Sequence, residues 1–409
     1  MLTDQTSRPD RRTAAKSKSQ PQNRSLLLAV HLWLGLSLGA LLVLIGLSGS
    51  ALIFRYELER LIFPSLTHTS SHTPATDPTA NLDLCVSTAQ AVNPLKTVRS
   101  VRLPVHPDGT LEWLTIPMGS TTKEEATTVY TDPQTCSVLG TRGPRKDVMS
   151  FVVNFHHALF LGKNGAYLQT CVAFVAIFMA CSGLILWWPK RWTSSRFRPR
   201  ANARPLHYAI GFWAMWPLLV IASTGCYMAW RSTINKALLP ETIPQASSAI
   251  KPLLGKAAMT RSDAEIKAKK QPYPLSLNAI VATAHAAEPD AEWRILTLPQ
   301  KAKEPVTITY QLPGEYGRSG NNQIQIKQTD DGTVHVVKVS ELKSGPAMKR
   351  FLTGLMQIHY GEFAGVASRL VWCATGLMPA VLFCSGFLMW RRRIRVRLIA
   401  EKALLGRSR

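Results

Sequence analysis

Histidine carries the strongest chemical signal in this 409-residue chain, because four of its ten copies recur in two matching pairs. His31 and His207 each open a long apolar run and are each followed by Gly at +4 and +18 and Arg at +24. Those partners are Gly35, Gly49 and Arg55 in one copy, Gly211, Gly225 and Arg231 in the other. His156 and His359 are each followed by Phe at +4, Gly at +6, Cys at +25, Gly at +27 and Trp at +31. A shared spacing of this kind marks an internal repeat. Histidine in or beside a membrane span is costly and usually functional. Two imidazoles on opposite faces of a flat macrocycle are an axial ligand set, so two such pairs point to two b-type haems, one per leaflet.

Other readings of these histidines are weaker. A mononuclear zinc or copper site needs further ligands, and none stands beside His31 or His207. No Cys-x-x-Cys-His occurs, which excludes a covalently attached c-type haem by that signature. His157 adjoins His156, but the repeat puts Tyr360 in the matching place. His68 and His72 have i, i+4 spacing inside a Pro-broken linker, and His106, His285 and His335 read as ordinary domain residues.

The elements that must position these residues are four apolar stretches at about 28–54, 167–188, 207–230 and 367–390, each near the roughly 20 residues a span needs. The first is too long, and its basic leader too extended, for a cleaved signal peptide. Residues 1–24, 190–206 and 391–409 together supply +17 of the net +23. The positive-inside rule then places both termini and the middle loop in the cytoplasm. The basic residues sit at span ends without interleaved aromatics, so nucleic acid is not an expected partner, whereas membrane lipid is.

From His31 to Gly49 is eighteen residues, or five whole turns at about 100° each. On one straight helix Gly35 and Gly49 therefore share the histidine's face, as do Gly211 and Gly225 with His207, leaving room for a flat ring. Arg55 and Arg231 emerge at the outer surface, where guanidinium groups could clamp haem propionates. His31 should pair with His207 on the cytoplasmic side and His156 with His359 on the exported side.

Between the spans lie two exported segments in which the repeat continues. Pro94 precedes Leu103-Pro104 as Pro289 precedes Leu298-Pro299, and TDPQT at 131–135 matches TDDGT at 329–333. Each segment reads as an amphipathic helix, then short alternating strands with a turn at the TD motif. Cys85 and Cys136 are the cysteines of these segments, and a disulfide between them is open; a bridge requires Cα atoms within about 7 Å. The fold class is thus an α-helical membrane protein, a four-helix transmembrane bundle from a duplicated two-span unit, with two α+β periplasmic domains. Its divisions are a basic tail (1–24), a first span (25–58), a first domain (59–150), a His-bearing helix with the second span (151–188) and a cytoplasmic loop (189–206). A third span (207–230), a second domain (231–345), a His-bearing helix with the fourth span (346–392) and a tail (393–409) follow, and the Lys/Ala/Pro-rich insertion 241–272 has no counterpart in the first copy.

HLWLGLSLGALLVLIGLSGSALIFRYELE resembles the opening of the PepSY-associated transmembrane family, also called iron-regulated membrane proteins. FHHALFLGKNGAYL, HYAIGFWAMWPLLVIASTG and IHYGEFAG resemble its later motifs, so the likeness covers about residues 25–395. It implies PepSY-like exported domains and, for haem-bearing members, reduction of ferric siderophores, with His31, His156, His207 and His359 as ligands. Phe155-His156 departs from the family's usual Leu-His. The chain carries no strand–Gly-rich–helix fingerprint for a flavin or nicotinamide, so a membrane quinol or a separate cytoplasmic donor must supply electrons. Two alternatives stand beside a haem-dependent ferric-chelate reductase. A non-catalytic PepSY anchor or regulator of an exported partner tolerates loss of all four histidines, and a small-solute transporter shows uptake in vesicles.

Overall fold

The computed structural model describes residues 22–69, 77–118, 126–143, 147–188, 198, 202–239, 275–300, 304–329 and 331–407. The insertion 241–272, most of the basic leader and of the 189–206 loop, and His72 lie outside them. Among the described residues three helices are long and apolar enough to cross a membrane, and a bent pair makes a fourth span when counted as one.

That pair is α1 (Gln22–Ser37) and α2 (Gly39–Ile53), which meet at 58°. The i→i−4 ladder runs through the bend, from Leu38 N to Leu34 O at 2.9 Å and Leu42 N to Leu38 O at 3.0 Å. The ring of Phe383 presses on Gly39, where a Cβ would overlap it. Glycine next to a wedge is a recognised cause of a kink. The single straight helix assumed for span 1 is therefore corrected, and with it the phase argument that runs eighteen residues through the bend. The short helices α3 (Arg55–Ile62) and α4 (Pro64–Thr67) lead away from the span, with His68 capping α4.

Helix α5 (Leu82–Ala91) is followed by strands β1 (Lys96–Arg102), β2 (Leu111–Pro117), β3 (Thr127–Thr131) and β4 (Val138–Arg142). Helix α6 (Val148–Ala158) then carries the chain to α7 (Gly162–Trp187), the second span, and α8 (Ala203–Leu238) is the third. The sequence of elements recurs as α9 (Leu277–Ala287), β5 (Glu292–Thr297), β6 (Val306–Gln311), β7 (Asn322–Gln328) and β8 (Val334–Ser340). Helix α10 (Ala347–Tyr360) and the fourth span, α11 (Gly365–Arg407), close the chain. The apolar helices touch in the order α1–α7, α7–α8, α8–α11 and α11–α2.

The sequence reads as two α+β domains, and among the described residues their strands join in one sheet. Its eight antiparallel strands run β4-β3-β2-β1-β5-β6-β7-β8. The seam pairs Ser100 with Thr297, Val101 with Leu296 and Arg102 with Ile295. Val101 and Leu296 each stand two residues before a Leu-Pro, so matching positions of the two segments face each other. Beyond the ladder, Leu103 N donates to Arg294 O and Leu298 N to Arg99 O, both at 2.9 Å, which is the same bond drawn twice about one centre. Joining removes two edges that would otherwise be open templates for aggregation.

One face of this sheet is covered by α5 and α9. Leu82, Cys85, Leu277 and Ile280 meet Val101, Trp113, Leu296, Ile308 and Ile324 in a common core. Fully burying such side chains is worth about 1.5–3 kcal/mol each. Cys85 and Cys136 are bridged across 4.6 Å between Cα atoms. The TD motifs turn as their chemistry requires: Asp132 Oδ1 accepts from the N–H groups of Gln134 and Thr135, and Asp331 from that of Thr333.

Ion pairs fasten this domain to the helices. Glu59 receives Arg55 at 2.9 Å and Arg142 of β4 at 3.1 Å, and Arg60 pairs with Asp108 at 2.7 Å. Glu57 receives both Arg318, from the β6–β7 connection, and Arg369 of α11. Burial pushes the Glu57 carboxyl up, but those guanidinium hydrogen bonds outweigh it and hold the group at about 2.

Candidate haem-ligand site

Each of the four histidines rests on a different helix from its own, in a seat of one design. His31 on α1 places Nδ1 2.8 Å from Ser182 Oγ on α7, and its Cε1 lies 3.4 Å from where a Cβ on Gly183 would stand. His207 on α8 places Nδ1 3.0 Å from Ser385 Oγ and 3.1 Å from Leu382 O on α11, with Gly386 beneath the ring at 3.5 Å by the same measure. His156 on α6 reaches α2, where Ser48 Oγ is 3.0 Å and Ile45 O 3.2 Å from Nδ1. A Cβ on Gly49 would come within 2.9 Å of its Cε1. His359 on α10 reaches α8, with Thr224 Oγ1 3.0 Å from Nδ1 and a Gly225 Cβ position 3.3 Å from Cε1.

The seat is therefore a hydroxyl–glycine dipeptide, used four times: Ser48-Gly49, Ser182-Gly183, Thr224-Gly225 and Ser385-Gly386. Glycine lets the imidazole lie against helix backbone, and the hydroxyl anchors one ring nitrogen. Ser182, Thr224 and Ser385 are buried, which a hydroxyl tolerates only when bonded.

This arrangement revises the reading of the glycines. Gly49 and Gly225 do lie by a histidine, but they support the rings of His156 and His359 from another helix. Gly35 and Gly211 do not; a Cβ on Gly35 would meet Met179, and one on Gly211 would meet Leu382. The glycines beneath His31 and His207 are instead Gly183 and Gly386, which the sequence repeat flags without a role. The four hydroxyl residues were missed. Their signal was present, since each immediately precedes a glycine of the repeat.

His31 and His207 lie within electrostatic reach of each other, as do His156 and His359. The first pair is at the end of the helices remote from the sheet, the second at the sheet end. His157 projects beside the second pair. Arg55 is near His157 and donates from Nε to Glu59, while Arg231 points Nη1 at Met356 Sδ, 3.0 Å away. Arg231 also lines a small hollow with Tyr227, Asn235, Lys349 and Met356. Among the described residues no three His, Cys, Asp or Glu side chains gather as a metal-ion ligand set. The imidazoles stand as pairs, and two nitrogen donors per site suit a haem, which brings four nitrogens of its own, better than a bare ion.

The chain matches the model of the PepSY-associated TM region over residues 28–393. It belongs to this family. No curated protein matches the sequence. As a PepSY-associated TM protein it is a multi-pass membrane protein, and the family match runs through all four histidines and all four hydroxyl–glycine seats.

Proposed function

We propose that this PepSY-associated TM protein is a b-type di-haem electron-transfer protein of the bacterial inner membrane that reduces ferric chelates of the siderophore class in the periplasm. The observation that carries the reading is the fourfold recurrence of one imidazole seat, in two pairs at opposite ends of the helices. Haem bound by these pairs would supply reversible one-electron exchange at iron. His31 and His207 would hold one group near the cytoplasm, and His156 and His359 a second at the sheet end. Gly49, Gly183, Gly225 and Gly386 admit the imidazoles; Arg55 and Arg231 would be the cations to meet propionates of the outer group, in exchange for their contacts with Glu59 and Met356. Electrons from a membrane quinol or a separate cytoplasmic donor would enter near His31 and leave near His156. One electron delivered to Fe(III) weakens its hold by hard oxygen ligands and frees the metal.

The same reading takes the two halves as a duplicated two-span unit, forming a four-helix transmembrane bundle about a local two-fold axis. The symmetric seam around Val101 and Leu296 and the cyclic helix contacts support it. The basic segments assign both termini to the cytoplasm and the PepSY-like sheet domain to the periplasm.

The test is a reduced-minus-oxidised visible spectrum of the full-length protein in detergent, with the haem extracted and counted. Two haems b per chain are expected, falling to about one in His31→Ala or His359→Ala. A purified protein with no Soret band removes the proposal. Vesicles loaded with reductant and given an external ferric chelate then separate a reductase from an anchor that merely carries haem.

A further inference from the structure

The hydroxyls in the four seats do more than fill space, and the direction of their hydrogen bonds can be worked out. Each has a carbonyl of the preceding turn of its own helix within reach of its proton. Ser48 Oγ binds Ile45 O at 2.9 Å, Ser182 Oγ binds Met179 O at 3.3 Å, Thr224 Oγ1 binds Val220 O at 2.7 Å and Ser385 Oγ binds Val381 O at 2.6 Å. A hydroxyl has one proton, so toward the imidazole its oxygen can only accept. With the hydroxyl proton on its carbonyl, the proton of the imidazole bond sits on Nδ1. Two histidines give the same answer by a separate route. His156 Nδ1 is 3.2 Å from Ile45 O and His207 Nδ1 is 3.1 Å from Leu382 O, and a carbonyl oxygen has nothing to donate.

We infer that Ser48, Ser182, Thr224 and Ser385 are positioning residues that fix all four imidazoles in the Nδ1–H tautomer, leaving each Nε2 lone pair free to bind the iron that a haem would bring. This rests on the haem reading above. A partner that accepts the Nδ1 proton also makes the ring a stronger donor, because it shares the charge that ligation draws from the imidazole. Stronger donation favours the ferric state, so these hydroxyls lower the reduction potentials of the two centres. His31 is the most dependent of the four: among the described residues its Nδ1 meets Ser182 alone. His156 and His207 each keep a carbonyl acceptor if their serine is lost.

The experiment is a redox titration, with low-temperature EPR, of full-length wild type, Ser182→Ala, Ser182→Thr and Ser48→Ala in detergent. In Ser182→Ala, haem content should stay near two per chain. One potential should rise by the equivalent of roughly a tenfold change in ferric-over-ferrous preference, about 59 mV for one electron. Ser182→Thr should restore it, since Thr224 already fills the role in another seat. Ser48→Ala should shift the other centre less, and it carries the test if Ser182→Ala does not fold. Haem-loaded Ser182→Ala and Ser48→Ala with both potentials and both EPR signals unchanged would overturn the inference. A wild type without haem would instead overturn the function on which it rests.

Discussion

Span 1 meets α11 through glycine, whereas α8 and α7 carry larger side chains at the corresponding positions. Gly39 takes the ring of Phe383, and Gly46 and Gly376 bring backbone against backbone, locked by Ser50 Oγ bonded to Cys373 O at 2.9 Å. In the other half those four positions are Met215, Ala180, Ala222 and Ala173. Where one half sets Gly against Phe, the other has Met and Ala at the matching positions, so similar side-chain volume is divided differently. The bend follows the sharing: span 1 breaks at 58° beside its wedge, while α8 stays one helix of 36 residues although it contains Pro217. The sheet domain shows the same habit. Cys85 and Cys136 are bridged in the first half, and the matching positions of the second hold Ile280 and Val334, packed in the shared core. Through all of this the histidines and their hydroxyl–glycine seats keep type and spacing. Packing volume can be traded between neighbours, but a ring nitrogen needs a hydrogen-bond partner at one distance and backbone at another, and few residue pairs provide both.

The sharpest way to break the comparison is to remove the bridge that only one half has. Replacing Cys85 and Cys136 by Ala should cost about 4 kcal/mol by the loop-closure model for a loop of this length, read as a lowered thermal midpoint. Ile280→Ala in the other half should cost about 2–5 kcal/mol as a cavity. A double cysteine variant that melts like wild type would show that the first half leans on its apolar contacts alone.

Next comes the helix crossing. Gly46→Ala should destabilise by about 1–3 kcal/mol, because the new methyl meets the Gly376 carbonyl and one helix must shift. Ala222→Gly, the reciprocal change in α8, should cost no more than about 1 kcal/mol. Equal effects from the two would mean that the α2–α11 contact is looser than its geometry shows.

A smaller effect is expected at the turns after the histidine helices. α6 ends with Leu159 and Phe160 at φ of 47° and 62°, whereas α10 ends on Gly361 at 71°. Left-handed backbone costs a side-chain-bearing residue roughly 1–2 kcal/mol. Leu159→Gly should therefore raise the melting point slightly, and Gly361→Leu should lower it. A stabilising Gly361→Leu would contradict the assignment of strain to the first turn.

The smallest effect is the pH response of the half-exposed Glu57 cluster. Its folded value of about 2 lies below the ordinary 4.5, so its pairs with Arg318 and Arg369 contribute fully above pH 4.5. That contribution is lost as pH falls through about 2. Glu57→Gln should flatten the thermal-midpoint profile across that window, and two parallel profiles would deny Glu57 any part in it.

The apolar runs, the histidine pairs, the helix-then-strands order of both exported segments and the TD turns could all be read from the sequence. Each is a local property: apolar length, spacing, alternation, or a side chain bonding two residues along its own backbone. The joined sheet, the bend at Leu38, the bridge between Cys85 and Cys136 and the matching of each histidine to its seat could not. His31 and Ser182 are 151 positions apart, and they meet because α1 and α7 cross at one rotation rather than another. Periodicity assigns a residue to a face of its helix; only packed helices decide which face it meets. That is why Gly35, four residues from His31 and on its face by any count, serves Met179 instead, while the glycine that seats His31 came from another helix altogether.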